Sequence, residues 1–211
     1  MSEKNKRPEM PPLIVSQPSS EESELGVLRA ASELHDKIYN DKLTGLLRRD
    51  GLTKELRAML ESEEDAPKYL AVAFIDIDGF KLVNDILGYT EGDEALKQVA
   101  LKLKTLFKRD EDVLASPTSR WGGDEFVVCA PFYSRKEDDK RKQIVSHVEF
   151  EQFVKKSIES MLIEDESLPD YIRNLKISVG AEVYNIDQIT DDIDHALVAA
   201  QERMRNMKKN K

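Results

Sequence analysis

The sequence predicts an α+β fold, a sheet sandwiched with helices, and three observations carry that expectation. Tyr69 to Ile75 (YLAVAFI) is a continuous apolar run of strand length, which reads as a central strand. Gly122-Gly123 separates two strand-like segments and reads as a hairpin turn. Strands and helical segments interleave along the chain, but the hairpin argues against a doubly wound parallel sheet.

Taken in order, residues 1–24 hold four of the eight prolines and a Ser/Glu cluster, a composition expected of a flexible tail. In residues 25–40 Leu25, Leu28, Ala31, Leu34 and Ile38 recur at steps of three and four, which makes one amphipathic helix. Its apolar stripe is suited to packing on the domain or on its copy in a second chain. The globular domain is expected over 41–211. A helix at about Asp50 to Glu61 ends in the acidic loop Glu61 to Asp65, and the apolar strand follows. Phe80, Val83, Ile86 and Leu87 mark a short helix; Leu96, Val99, Ala100, Leu103, Leu106 and Phe107 mark a longer one.

Residues 113–121 and 125–130 form the hairpin strands, and Pro117 puts the first at an edge or a bulge. Ser134 to Arg141 is a solvated charged loop. Phe150, Phe153, Val154, Ile158 and Met161 line the buried face of a helix. Leu175, Ile177, Val179, Ala181 and Val183 alternate as a half-buried strand does. Ile189, Ile193, Ala196, Leu197 and Ala200 begin the last helix. Its basic residues from Arg203 to Lys211 complement a helix C-terminus.

Composition narrows the function. With 211 residues, the chain is one domain plus a modest extension. Asp and Glu number 41 against 32 Lys and Arg, a formal charge of −9, which argues against a nucleic-acid or anionic-membrane binder. Residues 70–74 are too few to span a bilayer, and the N-terminus lacks the apolar core of a signal peptide, so a cytoplasmic location is expected. The single Cys129 excludes an internal disulfide and a Cys-based zinc site, and its apolar setting reads as core. His35, His147 and His195 lack ligand spacing. Trp121 reads as packing.

Two short segments could carry chemistry. Asp76-Ile77-Asp78 ends the apolar strand, where Asp76 and Asp78 lie on one side of an extended chain. Hard oxygen donors there suit Mg²⁺, which also accepts substrate phosphates as ligands; the bland alternative is an acidic loop start. Gly122-Gly123-Asp124-Glu125-Phe126 offers a turn that a phosphate can approach, followed by two carboxylates. If the hairpin and the strand end are neighbours, Asp124 faces Asp76.

That pentapeptide, GGDEF, is the signature of the diguanylate cyclase catalytic domain, and the chain resembles this family over about residues 41–206. Asp41 to Leu46 (DKLTGL) resembles its opening D-x-L-T-G-L. Asp76 to Asp93 (DIDGFKLVNDILGYTEGD) resembles D-x-D-x-F-K-x-x-N-D-x-x-G-H-x-x-G-D. Ile177 to Gly180 (ISVG) and Asp194 to Leu197 (DHAL) resemble later motifs in the same order. The resemblance implies a palm-like, ferredoxin-like core with a central, mostly antiparallel sheet flanked by helices. It implies condensation of two GTP into cyclic di-GMP with release of pyrophosphate. It also implies Mg²⁺, with Mn²⁺ as a substitute, and a face-to-face homodimer, because one domain holds one GTP. Residues 1–40 are left as the place for a regulatory protein.

Carried over by position, Asp76 and Asp124 are the metal carboxylates and the Ile77 carbonyl completes their shell. Asn84 and Asp93 read guanine, an amide and an acceptor-only carboxylate against its donor-rich edge. Gly79 and Phe80 form the phosphate-cradling turn, Lys81 is a cation near the phosphates, and Arg205 is the phosphate-binding arginine of the last helix. Asp124, or its neighbour Glu125, helps deprotonate the attacking hydroxyl.

Four positions depart from the family. Tyr89 replaces a histidine at the substrate site, Gln201 replaces a lysine one turn before Arg205, Met204 replaces a glycine and Val198 a tyrosine. An amide at 201 cannot supply charge to the triphosphate. The product-inhibition motif R-x-x-D would fall on Val113 to Ser116, which has neither charge. These departures give the alternative reading: a weakly active or inactive module that binds GTP or a cyclic dinucleotide and signals through a partner.

Overall fold

A computed structural model describes residues 20–61, 67–107, 116–132, 146–186 and 193–209. The Ser134–Arg141 loop, Val113 and Ile189 lie outside these residues. The chain divides into two units, Met1–Asp36 and Lys37–Lys211. Helix α1, Ser20–Tyr39, starts five residues ahead of the expected position. Its Leu25, Val27, Leu28 and Leu34 are exposed.

Within the larger unit the elements are α2 (Arg49–Leu60), β1 (Tyr69–Ile77), α3 (Phe80–Leu87), α4 (Tyr89–Thr105), β2 (Thr118–Arg120), β3 (Glu125–Phe132), α5 (His147–Ile163), α6 (Asp170–Arg173), β4 (Ile177–Asn185) and α7 (Ile193–Lys209). The strands form one sheet in the order β2-β3-β1-β4, and each neighbouring pair is antiparallel. That is the expected α+β architecture, with the Pro117-flanked strand at an edge.

Strand β1 is central and buried on both faces, which is why its sequence is continuously apolar. Side-chain alternation divides it between two cores. Ala71, Ala73, Ile75 and Ile77 pack with α4 and α5, through Leu96, Val99, Leu103, Phe150, Val154 and Ile158. Leu70, Val72 and Phe74 pack with α2 and α7, through Leu52, Leu56, Leu197, Ala200 and Met204. Cys129 belongs to the second core, and burial pushes its thiol pKa far up, so it is core as expected. Trp121 packs edge-on against Phe74 at 5.2 Å, under the Arg49 guanidinium at 4.5 Å.

The structure differs from expectation at four boundaries. β1 runs two residues past Ile75, because Asp76 stays in register with Glu125 on one side and Ser178 on the other. β2 occupies only three residues of the longer segment expected to end at 121. Leu175 is buried but precedes β4, its N–H donating to the Ile172 carbonyl at 3.1 Å. The short α6 was not expected; it opens after Pro169, a residue suited to a helix start.

Candidate active site

The second face of β1 ends in a carboxylate. Leu70, Val72 and Phe74 point toward α7, and Asp76, next in that alternation, points the same way at the sheet's rim. Asp76 is only 6% exposed. Burial raises its pKa and the negative charges of Asp124 and Glu125 raise it further, while a hydrogen bond and the charge of Lys208 pull it down; the net shift is upward.

The residue directly across from Asp76 is Glu125, and Asp124 lies one position further out, its carbonyl accepting from Ile77 N–H at 3.4 Å. Ile77 buries its side chain in the α4–α5 core. The carbonyl of a strand residue leaves on the same side as its N–H, so that of Ile77 also faces the Asp124 side. Asp78 turns to β4 instead: its N–H donates to the Lys176 carbonyl at 2.9 Å, and its carboxylate accepts from Ser178 Oγ at 2.6 Å.

The turn of the hairpin is closed by Trp121 and Gly122 N–H groups donating to the Glu125 carbonyl, at 2.8 and 3.2 Å. Gly123 has open space where a side chain would stand, whereas a side chain at Gly122 would meet the Glu125 carboxylate at 3.0 Å. On the other side of the rim, Gly79 sits at φ 71°, a left-handed conformation that favours glycine, and also faces open space. It hands the chain to α3, where Phe80 is buried as core and Lys81 is exposed. The Phe80 side chain is therefore unavailable to a ligand, and only its backbone can take the expected part.

Asn84 and the Gly92-Asp93 pair come together across α3 and α4. The Asn84 amide lies against Gly92, so closely that a Cβ there would stand 1.8 Å from Asn84 Oδ1. Asp93, the next residue, is exposed on α4. Tyr89 at the start of α4 is 81% exposed.

Helix α7 closes the site. Gly180 on β4 lets it approach so near that a Cβ would lie 2.1 Å from Met204 N. Gln201 is half-buried and Arg205 exposed. The side chain that reaches the carboxylates is Lys208, which donates a hydrogen bond to Asp76 Oδ1. Sequence reading treated Lys208 as a helix-end charge; its spacing of seven from Gln201 and three from Arg205, one face of a helix, is the signal that could have found it. Arg203 pairs instead with Glu182 at 3.3 Å and Glu151 at 3.6 Å.

Among the described residues no three His, Cys, Asp or Glu side chains gather closely enough to hold a metal by themselves. The donor set still suits Mg²⁺, which takes one or two carboxylates and fills its shell with water and substrate oxygens. Asp76, Asp124 and the Ile77 carbonyl are the residues that could hold it. No helix among the described residues is long and apolar enough to cross a membrane.

This fold is that of a known family. A family model described as "Diguanylate cyclase, GGDEF domain" matches residues 38–211, and the chain belongs to that family. It is similar to the cyclic di-GMP phosphodiesterase NbdA of Pseudomonas aeruginosa, at 32% identity over 75% of this chain and 18% of NbdA. It is also similar to the diguanylate cyclase DgcM of Escherichia coli, at 26% identity over 84% of this chain and 40% of DgcM. The chain thus spans less than half of either relative.

Among solved structures, SiaD from P. aeruginosa, a diguanylate cyclase in complex with its activator SiaC, aligns at TM-score 0.63. The identity is 22%, over 90% of this chain and 66% of that one. The coiled coil and GGDEF domain of DgcB from Caulobacter crescentus, in complex with c-di-GMP, aligns at TM-score 0.61, with 21% identity over 89% of this chain and 90% of that one. These two likenesses show the shared fold.

Proposed function

We propose that this chain is a diguanylate cyclase that condenses two GTP into cyclic di-GMP, using Mg²⁺ or Mn²⁺. The observation that carries this reading is the rim itself. A buried Asp76 lies across from the Asp124-Glu125 pair, between two glycine turns that leave open space. When bound, the metal would polarise phosphate oxygens and offset the charge that develops on them.

The chain's own residues do the rest. Gly79 and Gly123 leave backbone open to the triphosphate, with Lys81 and Arg205 as cations beside it. Asp93 accepts from the guanine N1–H and N2–H₂, and the Asn84 amide, fixed on Gly92, makes a second base contact. The 3′-hydroxyl of one GTP attacks the α-phosphorus of the other, a P–O bond forms, and the bond to pyrophosphate breaks. Asp124 or Glu125 takes the hydroxyl proton. Each product ring needs two such steps, so two domains meet face to face and dimerisation is part of catalysis. Residues 1–40 are available for a regulatory protein. With Val113 and Ser116 in place of the family's Arg and Asp, feedback through that product site is absent.

A second reading is favoured by one observation: Gln201 leaves α7 without the family's lysine, so a module that binds nucleotide and signals through a partner is the rival. Incubating the protein with GTP and Mg²⁺ and resolving products by mass separates the two. Cyclic di-GMP with pyrophosphate supports the cyclase; GTP bound but unconverted supports the module.

A further inference from the structure

Lys208 is a cation set on a metal carboxylate. It stands on the last turn of α7 and both hydrogen-bonds and ion-pairs with Asp76 Oδ1. Its placement follows from packing further back. Met204 lies on Gly180, which is paired with Phe74. From Met204 to Lys208 the helix rises about 6 Å. From Phe74 to Asp76 the strand advances about 6.6 Å. The two elements therefore keep step, and Lys208 arrives level with Asp76.

The surroundings favour a cation beside Asp76. Asp124 and Glu125 add negative charge to Asp76, and the Asp78 carboxylate is turned to Ser178. An ammonium has three donors and no acceptor, so it seeks the same carboxylate lone pairs that a hard divalent cation seeks. Both cannot hold Asp76 Oδ1 together, and their charges repel.

We propose that Lys208 is the resident counter-ion of Asp76, holding the cation position that a divalent metal takes only by displacing it. The inference rests on the reading of Asp76 as a metal carboxylate. It gives Lys208 a positioning role that the neighbouring Gln201 cannot perform. In the free protein, the Asp76 carboxylate is thereby oriented and paired with a cation until metal enters.

The test is Mn²⁺ binding by the full chain without nucleotide, followed by electron paramagnetic resonance. Lys208→Gln should bind Mn²⁺ about three- to fivefold more tightly than wild type, the effect a partly exposed ion pair supports. Lys208→Ala should do the same, and Lys208→Arg, which keeps the cation, should bind as wild type does. Equal or weaker Mn²⁺ binding by both charge-removing variants, with native circular dichroism, overturns the proposal. Asp76→Asn separates the two levels. If it loses Mn²⁺ while Lys208→Gln gains nothing, the metal reading stands and the counter-ion role falls. If it binds Mn²⁺ like wild type, both fall.

Discussion

Arg120 ties Asp41 to the glycine turn of the hairpin. Its Nη1 donates to Asp41 Oδ1 at 3.2 Å, while Nε and Nη2 donate to the Gly123 carbonyl at 3.1 and 2.7 Å. Asp41 also accepts from Thr44 N–H at 2.9 Å and Thr44 Oγ1 at 2.7 Å. The first residue of the DKLTGL segment thus fastens the entrance of the domain to the turn that presents Asp124. The planar guanidinium serves both acceptors at once, its fixed fork of donors setting the angle between them.

Asp41→Asn should cost about 1.5–3 kcal/mol in urea unfolding, the range for hydrogen bonds to charged groups. Burial works upward on the Asp41 pKa, but Thr44 and Arg120 outweigh it and hold it below 3.8. A depressed carboxylate stabilises fully above its unfolded pKa and loses that contribution as pH falls through the folded one. The difference between wild type and variant should therefore be constant from pH 5 to 8 and shrink below about 3.8.

Asp76→Asn and Asp124→Asn should each abolish cyclic di-GMP formation with native circular dichroism. For Asp76 burial also gives a direction for the stability change. Its folded pKa is raised, so the ionised form is disfavoured by folding at neutral pH. Asp76→Asn should melt at or above the wild-type temperature; a clear loss of stability would contradict the burial argument.

Asp93→Ala should weaken GTP binding by about 1–3 kcal/mol, measured by calorimetry, because the guanine donors lose their acceptor. Gly92→Ala should weaken it as well, since the added Cβ must evict the Asn84 amide that now stands there. Wild-type affinity in both variants would remove guanine reading from this pair.

Gly180→Ala should destabilise the fold by about 1–3 kcal/mol, the usual cost of overpacking. The new methyl meets Met204 backbone, which cannot swing aside as a side chain can. Urea midpoints compare the two proteins directly.

Cyclic di-GMP added well below concentrations that compete with GTP should leave the initial rate unchanged, on the proposed reading that Val113 and Ser116 stand in place of the product-site Arg and Asp. Non-competitive inhibition at such concentrations would show another feedback site.

Local pattern carried much of this. The apolar run of β1, the hairpin glycines between β2 and β3 and the alternation of β4 are written in neighbouring residues, and all four strands form. The rim was legible for the same reason, since Asp76, Gly79, Asn84 and Asp93 lie within one stretch of chain. What escaped depends on distant partners. The register of Asp76 against Glu125 is fixed by hydrogen bonds between strands far apart in sequence. Lys208 is 132 residues from the carboxylate it meets, and only the close seat of Met204 on Gly180 sets that distance.

The alternation of β1 has a consequence for how errors in this protein present themselves. Asp76 shares its face with Leu70, Val72 and Phe74, and its strand neighbours Ile75 and Ile77 belong to the opposite core. A slip of one residue would put isoleucine where the carboxylate belongs, and would at the same stroke drive Asp76 into the α4–α5 core. Misaligned molecules therefore carry a buried charge as well as a missing ligand, so they unfold rather than persist as stable but inert copies.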